Sequence, residues 1–219
     1  MQTTELLDRT VSLLYPQRCL RCDDLVEYDD LFCESCPERI AEPIVLPFSH
    51  NMAGVASVYE YKGWGRKLVW AIKEGSPKRV RYILGYEMRN LLDERWNEVG
   101  FNAIVPVPVT ESKLETQGFN HAELLAKPLS ILMDIPIYPY ALARSWNSLT
   151  QRDLGKVDRK ENAELSYKAG LTNGLTGKTI LLVDDLLTTG CTLAACADRL
   201  LDSGAAKVYG LTAAATLSR

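Results

Sequence analysis

The sequence is short of several things, and each shortage removes a class of protein. In 219 residues, no run approaches the roughly eighteen consecutive apolar residues of a transmembrane helix, so no membrane span is expected. The N-terminal stretch carries Glu5 and Asp8 early and lacks a basic leader followed by an apolar segment. A secretory signal is therefore not expected, and a cytoplasmic location is. There is no long polar low-complexity tract and no internal repeat. What remains is a globular composition, 47% hydrophobic and 24% charged. Charge excess is also missing: the net charge is −3 and the pI near 5.5, which argues against a protein that coats nucleic acid over its whole surface. The length leaves room for one full α/β domain plus a small appendage.

What is present alternates. Leu6, Leu7, Val11 and Leu14 share one face of a short helix over 4–15. Residues 16–40 hold cysteines among Pro, Asp and Glu, and 41–50, with Pro43 and Pro47, read as a linker. We place a boundary there, separating an N-terminal element (1–48) from a larger domain (49–219). In the larger part the pattern predicts a strand over Val55–Tyr61 and helices over Arg66–Lys73 and Ile83–Trp96. A short strand over Ala103–Val107 comes next, then a helix over His121–Met133 that Pro128 should kink or interrupt. A strand over Ile137–Leu142 follows. Thr179-Ile180-Leu181-Leu182-Val183 is continuously apolar or β-branched and predicts a buried strand over Lys178–Asp185. A helix over Thr192–Leu201 and a strand over Lys207–Ala213 complete the series. Such alternation favours a mainly parallel sheet flanked by helices.

The strand at 178–185 has a specific sequel. It delivers Asp184 and Asp185 at its carboxyl end, then Leu186 and Leu187, then Thr188-Thr189-Gly190-Cys191-Thr192, then a helix. Ligands of open α/β sheets bind at the carboxyl ends of strands, and turn N–H groups ahead of a helix form an anion site. The threonines add hydroxyl donors, and Gly190 lets backbone close on a phosphate without a Cβ clash. The two carboxylates would repel phosphate, but they suit ribose hydroxyls, which donate hydrogen bonds, or an accompanying Mg²⁺. Val183 through Thr192 resembles the signature of type I phosphoribosyltransferases for phosphoribosyl pyrophosphate (PRPP). The resemblance implies that the acids hold the ribose hydroxyls and the turn cradles the 5′-phosphate.

Three further segments resemble the ComF family, competence-associated relatives of the amidophosphoribosyltransferases. The first runs Tyr61-Lys62-Gly63-Trp64-Gly65-Arg66 through Leu68 to Ile72, Lys73 and Gly75. The second is Val105-Pro106-Val107-Pro108 followed by Gly118-Phe119-Asn120-His121-Ala122-Glu123-Leu124-Leu125-Ala126. The third comprises Leu142, Arg144, Thr150-Gln151, Leu154, Arg159 and Asn162. The resemblance implies that the second segment, with Pro106, Pro108 and Lys113, is the pyrophosphate-binding loop. It implies that the third is a hood bringing Arg144, Arg152 or Arg159 toward the leaving pyrophosphate while excluding water. ComF proteins usually carry several arginines before Gly-Phe-Asn and a Gln after it. Here only Lys113 is basic, against Glu111 and Glu115, and His121 follows. We read His121 as a helix N-terminal hydrogen-bonding residue rather than a general base.

Cys19, Cys22, Cys33 and Cys36 form C-x₂-C-x₁₀-C-x₂-C. Two such knuckles complete a tetrahedral thiolate shell, which favours a structural Zn²⁺, with a redox pair as the alternative. Of the other two cysteines, Cys191 lies in the phosphate turn and Cys196 on the core face of the following helix. Lys62, Arg66, Lys67, Lys73, Lys78, Arg79 and Arg81 are interleaved with Trp64, Trp70 and Tyr82. These are the ingredients of single-stranded DNA binding, or else of an ordinary exposed helix whose tryptophans fill the core. The expectation is therefore a PRPP-binding, Mg²⁺-dependent phosphoribosyltransferase-like protein with a structural zinc and a role in DNA uptake. The alternatives are a non-catalytic PRPP or nucleotide sensor, and a single-stranded-DNA-binding adaptor for a DNA-translocation helicase. No residue stands out as the general base for an acceptor. Neither an N-terminal cysteine nucleophile nor a glutaminase-sized domain is seen, so a glutamine-hydrolysing amidophosphoribosyltransferase is not expected.

Overall fold

Runs without polar alternation, such as Ile180–Val183, settle only where both faces of a strand are covered. The helical periods on either side supply that cover. The computed structural model describes residues 18–19, 22, 24–26, 33–35, 44–45, 51–74, 78–144 and 166–216. The chain forms two compact units, Met1–Glu42 and Pro43–Arg219. In the larger unit the order is β1 (Ile44–Val45), β2 (Gly54–Glu60), α1 (Gly63–Lys73), α2 (Lys78–Trp96), β3 (Ala103–Pro106), α3 (Glu111–Gln117) and α4 (His121–Met133). It continues through β4 (Leu142–Arg144), β5 (Tyr167–Ala169), β6 (Thr179–Leu187), α5 (Cys191–Asp202) and β7 (Lys207–Ala215).

The main sheet has the order β1-β2-β7-β6-β3. Strands β2, β7, β6 and β3 are mutually parallel, and only β1 is antiparallel to its neighbour. β6 and β7 lie inside the sheet, and Ile180, Leu181, Leu182 and Val183 are each fully buried. Burial of each such side chain is worth roughly 1.5–3 kcal/mol. This is the mainly parallel, helix-flanked sheet that the alternation predicts. The expected helix over 4–15, and Gly75, Thr150, Gln151, Arg152, Leu154, Arg159 and Asn162, lie outside the described residues.

Three local expectations change. Pro128 does not interrupt α4, which runs unbroken across it. The ring is buried against α2, where a Cβ on Gly85 would stand 2.9 Å from Pro128 Cβ, so tertiary packing outweighs the backbone hydrogen bond that proline cannot make. The strand expected over Ile137–Leu142 divides. Ile137 makes a single parallel bridge to Ile104, and Leu142 begins β4, which pairs antiparallel with β5 in a separate two-stranded sheet. Finally, Glu111–Gln117 is a helix, α3. Thr110 Oγ1 caps its start by accepting from Lys113 N at 3.3 Å, and Gly118 ends it in the left-handed region at φ 78°.

Candidate functional site

The carboxyl end of β6 carries two acids because the apolar run is spent just before them. Asp184 stands opposite Thr212 of β7 in the ladder. The backbone N–H of Asp185 donates to Asp184 Oδ1 at 2.8 Å. Burial, and then the charge of Asp185, hold the Asp184 carboxyl well above the ordinary carboxylate range, while Lys73 acts in the opposite direction. Asp185 Oδ2 is buried with no hydrogen-bond partner among the described residues. Lys73 Nζ, on the last turn of α1, stands 3.6 Å from it. The pair thus concentrates acceptor capacity that the protein itself leaves unused.

Immediately after β6, Thr188 and Thr189 are exposed. Gly190 occupies the N-cap of α5 at φ 78°, a conformation costly for any residue with a Cβ. Having no side chain, it leaves the first N–H groups of α5 uncapped from that position, pointing out of the positive end of the helix. Burial leads the causes that push the Tyr167 phenol, on β5, up to about 12, while Arg144 and the Thr192 hydroxyl act in the opposite direction. The Arg144 guanidinium lies 5.4 Å from the Tyr167 ring centroid, so the paired strands β4 and β5 bring an arginine and a tyrosine together. Arg144 Nε is buried without a hydrogen-bond partner among the described residues. Cys196, fully buried, faces the core as expected.

On the neighbouring strand, Pro106 is in register with Val183, and Val107 N donates to Val183 O at 2.9 Å. The loop leaving β3 therefore starts beside the acidic pair. Its return is clipped by Asn120, which is buried. Asn120 Nδ2 donates to Val107 O at 2.9 Å, and its Oδ1 accepts from Ala122 N at 3.1 Å to cap α4. His121 is buried with Nδ1 unpartnered among the described residues. Burial lowers its basicity below that of an ordinary histidine, as do Lys73 and Lys113, against the pull of Asp185. Charges on α1, α3 and β6 thus all act on this one imidazole.

The structure brings Val183, Asp184, Asp185, Thr188, Thr189, Gly190, Cys191 and Thr192 to the carboxyl end of β6. It sets Pro106 and Pro108 at the end of adjacent β3 and Lys113 on exposed α3. Arg144 is on β4, while Arg159 lies outside the described residues. One assignment to a nucleic-acid surface is corrected. Trp64 is buried, only 8% exposed, so its ring faces cannot stack on bases. Lys73 is exposed, with Nζ 3.6 Å from Asp185 Oδ2. Lys62 pairs with Glu60 at 2.5 Å, and Arg66 and Lys67 are exposed. The exposed aromatics nearby in sequence are Trp70, Tyr82 and Tyr86. Tyr167 was missed, since three residues of strand leave no periodicity to read.

In the smaller unit, Arg18 and Leu25 bridge across the first cysteine knuckle, and Cys19 N donates to Asp24 O at 2.6 Å. Cys22 and Cys33 place their sulfurs 3.4 Å apart. The Sγ atoms of Cys19, Cys22 and Cys33 all lie within 4.8 Å of one another. A tetrahedral ion with metal–sulfur bonds of about 2.3 Å requires sulfurs roughly 3.8 Å apart, so the cluster could bind a metal. Cys36 lies outside the described residues.

Comparison with known proteins matches residues 115–217 to the phosphoribosyl transferase domain. Competence protein F of Haemophilus influenzae is 36% identical over 92 residues, 42% of this chain and 40% of that protein. DNA utilization protein YhgH of Escherichia coli is 35% identical over 105 residues, 48% of this chain and 45% of that protein. The chain thus spans less than half the length of these two relatives. Competence protein ComFC of Bacillus subtilis is 34% identical over 185 residues, covering 82% of this chain and 69% of that protein. With the parallel sheet and the acid-turn-helix sequence at the end of β6, these matches identify the larger unit as a type I phosphoribosyltransferase fold, and the chain belongs to the ComF family of phosphoribosyltransferase-domain proteins.

Proposed function

We propose that the chain binds PRPP with Mg²⁺ at the carboxyl end of β6 and acts at C1 of its ribose. One observation carries this reading: two adjacent half-buried acids, one with an unused acceptor, run directly into a hydroxyl-lined turn and an uncapped helix start. Asp184 and Asp185 accept from the ribose hydroxyls. Thr188 to Thr192 and the first N–H groups of α5 hold the 5′-phosphate. Mg²⁺, when bound with the ligand, neutralises part of the diphosphate charge. Arg144, held over Tyr167, adds positive charge for the group that departs when the C1–oxygen bond breaks with its electron pair.

The test is calorimetric titration with PRPP and Mg²⁺ alongside an assay of pyrophosphate release, for the native protein and for Asp184→Asn with Asp185→Asn. Binding and release, both lost in the double variant, are expected. Binding without release would replace the enzyme with a sensor, a reading favoured by the acidic, wholly exposed character of α3. No binding would remove the proposal.

The names of the relatives associate those proteins with competence and DNA utilization. We extend to this chain a cytoplasmic role in DNA uptake, with single-stranded DNA and a translocating helicase as partners. Exposed Arg66, Lys67 and Trp70 are the groups that would meet a single strand. For the smaller unit we propose a structural Zn²⁺ held by Cys19, Cys22, Cys33 and Cys36. Elemental analysis should find about one zinc per chain, lost in Cys19→Ser. Metal-free native protein would refute it.

A further inference from the structure

We infer that Lys73 is a diphosphate-binding cation of this site beside Arg144: counter-ion of Asp185 before the ligand arrives, and contact of the leaving group afterwards. The inference rests on the PRPP reading above and names a residue for it. Four observations carry it. The loop that should clamp the diphosphate offers only Lys113, beside Glu111 and Glu115, on a helix with no buried residue, so a cation besides Arg144 is called for. Lys73 closes the last turn of α1 and reaches across to β6, within 3.6 Å of Asp185 Oδ2. That separation is too long for a good hydrogen bond, so Lys73 balances charge without consuming the lone pair that a ribose hydroxyl or a cation needs. The lysine side chain is 41% exposed against 14% for the aspartate, so the ammonium has a solvent side toward which it can turn.

The electrostatics of exchange follow. With ribose hydroxyls donating to Asp184 and Asp185, or a cation held by them, the Lys73 ammonium would no longer be the acids' sole counter-charge and could turn toward the negatively charged diphosphate. His121, buried at the start of α4, feels the charges of Lys73, Lys113 and Asp185 together. No residue of α3 has to move for this to occur.

The experiment compares two probes, Mg²⁺-pyrophosphate and ribose 5-phosphate, titrated into the native protein, Lys73→Gln and Lys73→Arg. Lys73→Gln should weaken Mg²⁺-pyrophosphate by about tenfold or more, the size of a lost charged contact, while ribose 5-phosphate binds as well as before or better. Lys73→Arg should restore most of the pyrophosphate affinity. Equal losses for both probes would mean that Lys73 only props Asp185, and unchanged binding would mean that it is a bystander; either result overturns the inference. Failure of the native protein to bind either probe would instead overturn the PRPP reading. Melting curves of the three proteins establish that each is folded.

Discussion

The turn after β6 and helix α3 after β3 stand at the same end of adjacent parallel strands, yet they are made of opposite materials. The first issues from four fully buried residues and holds a half-buried acid pair. The second has no buried residue, and even Leu114 is 46% exposed. On the PRPP reading, the ribose 5-phosphate end of the ligand meets a surface continuous with the core. The diphosphate end meets a helix that contributes nothing to the core. Substitutions on the first side should register in stability, and those on the second in affinity alone.

The largest test of that division is a pair of truncations. Leu182→Ala should cost about 2–5 kcal/mol, and Leu114→Ala less than about 0.5 kcal/mol, read from urea unfolding curves; comparable losses would break the contrast. A smaller effect comes from Asp184→Asn. Burial and Asp185 raise the folded carboxyl's pKa above its unfolded value, so the folded state holds that proton more tightly. Stability then falls as pH rises from near 4 toward the raised value. The variant keeps Oδ1 for Asp185 N, loses that slope, and should gain about 2–4 °C in Tm at pH 8 for each kcal/mol relieved. Melting scans at pH 5 and pH 8 check it, and parallel pH slopes for both proteins would contradict it. The smallest change in stability belongs to Glu111→Lys with Glu115→Lys. Unfolding should shift by no more than about 0.5 kcal/mol, while PRPP affinity rises several-fold in low salt and the gain fades at high salt. A gain that ignores salt would show that these positions act by shape rather than charge.

Much of the β6 side could be read directly, because a continuous apolar run, two acids and a Thr-Thr-Gly turn are local signals. The helix ends of α3 were also written locally, in Thr110 and Gly118, but its charged interior hid them behind the resemblance to a loop. Three features depend on residues distant in sequence. Lys73 looks like one more exposed lysine until α1 is laid against the sheet. Trp64 and Trp70 share a helix and differ only in which face meets the core. Pro128 argues for a break until Gly85 makes room for its ring.

The corner between β2 and α1 extends the site's reach. A Cβ on Gly65 would lie 2.2 Å from Glu60 O, a backbone atom that cannot step aside. Gly65 and Lys73 are eight residues apart on one rigid helix, so the corner is the fulcrum of a lever about 12 Å long, with an ammonium at its tip. A methyl group added at the fulcrum displaces the tip. On the PRPP reading, Gly65→Ala would therefore present itself as a ligand-binding defect.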